Sequence, residues 1–134
     1  MNGNKLIVML EDDPDDRFIT ESTLRELGYD IPVHFVNTST ELFNFLGSSA
    51  RPTLILIDYN STPMNALDVL KRLKSQEAWA GIPVVVLADS SVPRYVEECY
   101  RHGASTFIKK PSTQQGTSEK INSFFHYWLS TAEA

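Results

Sequence analysis

Cysteine is almost missing from this sequence. Cys99 stands alone among 134 residues, so no internal disulfide can form and the fold must be held by core packing. That usage fits a reducing compartment, and the expected location is cytoplasmic. No apolar run approaches the roughly 18 residues that would span a bilayer, and no secretory signal pattern is present, so no membrane association is expected. Basic residues are few: 12 Lys and Arg stand against 17 Asp and Glu, for a net charge of -5. The densest basic run is Lys109–Lys110, which is too little for a phosphate-backbone surface, so no nucleic-acid partner is expected. A P-loop and a G-x-G-x-x-G turn are both absent, which removes the common nucleotide-binding readings. His34, His102 and His126 lack metal-ligand spacing.

What is present is a regular alternation. Five short apolar runs are "KLIVML" at 5–10, "PVHFV" at 32–36, "TLILID" at 53–58, "PVVVLA" at 83–88 and "TFIK" at 106–109. The first, third and fourth are unbroken Val/Ile/Leu runs, as in parallel strands covered on both faces. The second and fifth are shorter and more mixed, and are expected at the sheet edges.

Helical stripes lie between and after these runs. Val92, Tyr95, Val96, Cys99 and Tyr100 form one stripe, and Ile121, Phe124, Phe125, Trp128 and Leu129 repeat its spacing. Leu67, Leu70 and Leu73 line another helix, Leu42, Phe43 and Leu46 a short one, and Phe18, Ile19, Leu24 and Leu27 the first. Gly28 and Gly103 stand just past helix ends, where glycine is favoured. Strand–helix alternation implies βαβ units, and right-handed crossovers then give an α/β doubly wound five-stranded parallel sheet. Residues 1–134 are expected to be one domain with no output domain after it. Ligands of such sheets bind beyond the carboxyl ends of the strands.

At the first of those ends, five of the six residues from Glu11 to Asp16 are carboxylates. Three have a structural explanation. Asp13 precedes Pro14 and reads as a helix N-cap, with Asp15 and Asp16 in a first turn that favours negative charge. Glu11 and Asp12 lie before the helix. Asp58 ends the third strand, so these three acids converge, and a cluster of hard oxygen donors suits Mg²⁺. Lys110, at the end of the fifth strand, reaches the same crevice.

The segments "LIVMLEDDPDD", "LILIDYNSTPMNALDVL", "IPVVVLADSS" and "GASTFIKKP" resemble the receiver domains of two-component response regulators, across nearly the whole chain. The resemblance implies the flavodoxin-like (βα)5 fold with strand order 2-1-3-4-5. It implies that Asp58 is the phosphoacceptor, in a phosphorelay and without turnover catalysis. It implies that Asp12, Asp58 and the backbone carbonyl of Asn60 bind Mg²⁺, with Glu11 acting through water. Lys110 would bind the phosphoryl group, Lys110–Pro111 would be a cis peptide, and Phe107 would occupy a switch position. The implied partners are a sensor histidine kinase or phosphotransfer protein, an unknown downstream protein, and a second copy through the fourth helix, fifth strand and fifth helix, where Tyr127 stands off its stripe.

Departures from the family pattern are local. Ala88 stands where a Thr or Ser hydroxyl usually meets the phosphoryl group, and Asp89 follows in place of a small residue. Ser90, two positions on, is expected on the same strand face as a substitute donor. Thr62 replaces a proline. Ala66 replaces a glycine, so the loop is expected to be reshaped if that position needs positive φ. Ala88 also keeps a second reading open: a degenerate receiver that binds its partner independently of phosphorylation. The enzyme reading is weakest, because an aspartate-based phosphatase would want an acid where Asn60 stands.

Overall fold

The structure, a computed structural model, describes residues 5–26, 28–48, 51–90 and 92–109, together with His126. Its elements are β1 (Ile7–Leu10), α1 (Pro14–Glu26), β2 (Val33–Val36), α2 (Ser39–Ser48), β3 (Leu54–Asp58), α3 (Ala66–Ser75), β4 (Val84–Ala88), α4 (Pro93–Arg101) and β5 (Thr106–Lys109). The strands form one parallel sheet in the order β2-β1-β3-β4-β5. The two mixed runs are thus the edges, and the three unbroken apolar runs are the interior strands.

Interior strands are apolar up to Asp58 at the end of β3, because both of their faces are covered. Val8, Leu10, Ile55, Ile57, Val84 and Val86 point into one core with Leu42, Phe43, Leu46, Val69, Leu70, Leu73 and Cys99 from α2, α3 and α4. The alternate residues Ile7, Met9, Leu54, Leu56, Val85 and Leu87 enter a second core with Leu24 of α1 and Ile108 of β5. Each buried aliphatic side chain contributes about 1.5–3 kcal/mol of transfer free energy, so these alternating sets supply the main drive to fold. Trp79 anchors the loop after α3 by packing on Phe43, with ring centroids 5.6 Å apart.

Local signals set the helix ends. Asp13 caps α1: its Oδ1 accepts the Asp15 backbone N–H at 2.8 Å, and Pro14 takes the first helical position. Thr38 Oγ1 accepts the Glu41 N–H at 3.1 Å at the start of α2. Gly28 and Gly103 have φ of 84° and 104°. Gly103 is doubly constrained, because a Cβ there would stand 2.9 Å from the Lys74 side chain. Lys74 itself is threaded beneath that turn, donating to the carbonyls of Ala80 and Ile82 at 2.9 and 3.1 Å. Burial lowers its pKa from the usual lysine value.

Two apolar stripes bury less than their spacing implies. Phe18 is 62% exposed, because α1 meets the sheet through Thr20, Thr23 and Leu24, one turn further along and on another face. Thr20 and Thr23 tolerate burial because their hydroxyls donate back to the carbonyls of Asp16 and Ile19. On α4 only Cys99 is fully buried, Val92 is the N-cap residue rather than part of the helix, and Tyr100 is 48% exposed. The final helical stripe, Tyr127 and the fifth helix's share of the pairing face lie outside the described residues, as does Leu27.

Candidate functional site

Sheet register places the acids. Leu10 of β1 lies opposite Ile57 of β3, so Glu11 and Asp58 follow at the same level of two adjacent strands. These are the strands at which the chain's winding direction reverses, the point where open α/β sheets form a crevice. One carboxylate oxygen each from Glu11, Asp12 and Asp58 falls within a group whose members all lie within 4.8 Å of one another. Leu10, Glu11, Asp12, Asn37, Asp58, Asn60, Ser61 and Thr62 line the small open cavity around them.

The three acids sit in different surroundings. Glu11 is 2% exposed, and its polar groups are engaged: its N–H donates to Val36 O at 3.1 Å, and its Oε2 accepts the Asp13 N–H at 3.1 Å. Asp12 is exposed and Asp58 half-buried, so both face the cavity opening. Gathered carboxylates repel one another, and hard oxygen donors at this spacing fit a small divalent cation, which would relieve the repulsion. Asp13, Asp15 and Asp16 belong instead to the start of α1, as the capping hydrogen bonds show.

The opposite wall is the loop from Asp58 to Asn65. It starts as a tight turn, with the Ser61 N–H donating to Asp58 O at 3.0 Å, and that turn carries Asn60 to the cavity. The Thr62–Pro63 peptide is cis. Ser61 Oγ donates to Met64 O at 2.7 Å, and Ser39 holds the loop from outside. Ala66 opens α3 behind its N-cap Asn65, and no described non-glycine residue has positive φ. The family's glycine is therefore not required there. The reshaping the sequence suggested carries no backbone strain at Ala66, which is fully buried against the core.

β4 ends at Ala88, which is buried opposite Lys109 of β5. Asp89 and Ser90 are exposed beyond it, and neither is among the described lining residues of the cavity. The strand stops at Ala88, so two-residue alternation no longer fixes the face on which Ser90 lies. Phe107 is half-buried and joins a small aromatic group: Tyr59 stacks on Tyr95 with centroids 5.2 Å apart and meets Phe107 edge-on at 6.2 Å. The Phe107 N–H donates to the Tyr100 hydroxyl at 3.0 Å. Burial, foremost, raises the Tyr59 pKa. Lys110 and the Lys110–Pro111 peptide lie outside the described residues.

Sequence reasoning missed Arg17, Asn37 and Ser39. Thr38-Ser39-Thr40-Glu41 has the capping spacing that would have pointed to the loop after β2. Arg17 and Asn37 gave no signal, since their meeting depends on how α1 crosses β2.

The model of the response regulator receiver domain family matches residues 7–122. The two-component response regulator ORR7 of Oryza sativa subsp. japonica is 29% identical over 105 residues, 78% of this chain and 49% of its own. The chemotaxis protein CheY1 of Helicobacter pylori (strain ATCC 700392 / 26695) is 27% identical over 115 residues, 86% of this chain and 92% of its own. The chain thus spans about half the length of the first relative and most of the second. Among solved structures, the phosphorylated cyanobacterial phytochrome response regulator RcpA gives a TM-score of 0.90 at 27% identity, covering 96% of each chain. The Mn²⁺-bound form of response regulator Rcp1 gives 0.89 at 24% identity, covering 96% of this chain and 97% of its own, a likeness of fold alone.

Proposed function

From its membership of the response regulator receiver domain family, to which the chain belongs, we propose that this protein accepts a phosphoryl group on Asp58 from a histidine kinase or phosphotransfer protein and signals by docking to a partner. The observation that carries the reading is the convergence of Glu11, Asp12 and Asp58 at the centre of the sheet. It is supported by the identity with receiver proteins over most of the chain.

A carboxylate oxygen of Asp58 attacks the phosphorus of a phosphorylated imidazole. The P–O bond forms as the P–N bond breaks, and the imidazole nitrogen keeps the electron pair and takes up a proton. Nucleophile and donor are both anionic, so the reaction needs counter-charge and alignment. Mg²⁺, held by Asp12, Asp58 and the Asn60 carbonyl and through water by Glu11, would neutralise both partners and orient the transfer. Glu11 suits an indirect role, because its carboxylate already accepts the Asp13 N–H. Asp12 suits direct ligation, because it is exposed at the opening. Lys110 supplies the second positive charge to the transferred group.

The Mn²⁺-bound form of Rcp1 supports a divalent cation in this fold. No described helix is long and apolar enough to cross a membrane. The phosphorelay step is not a turnover reaction, since the acceptor is consumed until its acyl phosphate hydrolyses. Pairing of two copies through the face that includes α4 and β5 is part of this proposal.

The test is incubation with a small phosphodonor and Mg²⁺, followed by intact mass. One phosphoryl adduct that depends on Mg²⁺ and is lost in Asp58→Asn supports the reading. A wild type that stays unmodified at saturating donor favours the degenerate receiver, the second reading, whose support is the missing hydroxyl at buried Ala88.

A further inference from the structure

Arg17 takes no part in the transfer proposed above, but it clasps the backbone that carries two of the acids. Its Nε donates to the Glu11 carbonyl at 2.6 Å. A terminal guanidinium nitrogen donates to Asn37 Oδ1 in the loop after β2. The guanidinium also lies over the Phe35 ring, 5.0 Å from its centroid, which holds the side chain against the edge strand. Asn37 is in turn fixed, its N–H donating to Glu41 Oε1 at 2.7 Å, and it lines the same cavity as the acids.

The Glu11 carbonyl belongs to the peptide that joins Glu11 to Asp12. Together with the Glu11 N–H on Val36 and the Asp13 N–H on Glu11 Oε2, the bond from Arg17 restrains the rotation of that peptide. Rotating it would swing the exposed Asp12 carboxylate out of its grouping with Glu11 and Asp58. Repulsion among the acids favours that rotation. A guanidinium can oppose it because its rigid fork bonds in two directions at once, which a lysine ammonium on a flexible stem does not reproduce.

We infer that Arg17 is a positioning residue for the cation site: it ties the Glu11–Asp12 peptide to Asn37 and so presets the acid cluster for a divalent ion. This rests on the reading of the site given under Proposed function. Groups that orient metal ligands typically contribute 10–100-fold to metal affinity, so Arg17→Ala should weaken Mg²⁺ binding by about tenfold or more.

The experiment is calorimetric titration of the full chain with Mg²⁺, beside thermal unfolding in chelator. Arg17→Lys should stay close to Arg17→Ala, and Asn37→Ala should shift affinity in the same direction. The double variant should bind no more weakly than Arg17→Ala alone, because both remove one strap. An Arg17→Ala affinity within twofold of wild type overturns the inference. So does full recovery by Arg17→Lys, which would mean that charge alone acts, and so do additive losses in the double variant. If Arg17→Ala does not fold, the milder Asn37→Ala decides: unchanged affinity there overturns the strap. A wild type that takes up no Mg²⁺ overturns the site reading together with the strap, whereas a binding wild type with an unaffected Arg17→Ala overturns the strap alone.

Discussion

Ser39 and Met64 are tied across two loops: Ser39 Oγ accepts the Met64 N–H at 3.0 Å, while the Ser39 N–H donates to Thr62 O at 2.9 Å. Ser39 is 1% exposed, so water cannot readily replace it. Ser39→Ala should cost about 1–3 kcal/mol, the penalty for leaving a secluded N–H without an acceptor. The loop it releases includes Asn60, Ser61 and Thr62, so Mg²⁺ affinity should fall as well. Chemical denaturation and Mg²⁺ titration of the same sample check both. A stable variant with intact affinity would show that the loop holds its shape without this tie.

The acidic cluster divides into two groups with separable effects. Asp12→Asn should weaken Mg²⁺ binding strongly, because its carboxylate belongs to the group within 4.8 Å. Asp15→Asn should change it little and cost a few tenths of a kcal/mol in stability, since Asp15 only complements the first turn of α1. Equal losses of affinity would contradict the division.

Ala88→Thr should strengthen the coupling between Asp58 and α4. A β-branched residue suits a strand end, and a hydroxyl hydrogen bond to a charged phosphoryl group is worth roughly 1.5–3 kcal/mol, the size of a typical switching coupling. Hydrogen exchange of α4 with and without a phosphoryl mimic should show a larger difference in the variant. A wild type that responds equally would mean that another donor serves, and exposed Ser90 is where to look first.

Cys99 sets an alkaline limit. Burial, with Glu98 adding to it, pushes its thiol pKa up from 9.0 to about 11. A folded-state value above the unfolded one means that the stabilising contribution is complete below about pH 9 and is lost as pH rises toward 11, at up to ~1.4 kcal/mol per pH unit. Tyr59, also raised, acts in the same direction at higher pH. Lys74 acts oppositely, because its folded value is lowered. The Cys99→Ala difference isolates the thiol: unfolding free energies of wild type and variant should converge between pH 9 and 11. Parallel curves would refute it.

Much of the fold could be read from unbroken Val/Ile/Leu runs, because burial on both faces removes the alternation that would otherwise mark a strand. The Asp13–Pro14 step located the start of α1 because capping is a local interaction. Phe18 was misread because period alone does not say which of two adjacent stripes meets the sheet. In α1 two threonines with satisfied hydroxyls take the inner face. Ser90 lies beyond the end of β4, where strand alternation no longer fixes its face. The acids Glu11, Asp12 and Asp58 were legible as strand ends. Arg17 and Asn37 were not, since their contact spans 20 residues and exists only after packing.

The first strand of the chain is not at the edge of the sheet. Ile7 pairs with Val33 on one side and Leu54 on the other, so the middle of the sheet is closed by a segment 47 residues downstream. Asp58 meets Glu11 and Asp12 only through the pairing of β3 beside β1, so the strand pair of largest sequence separation is also the one that completes the site.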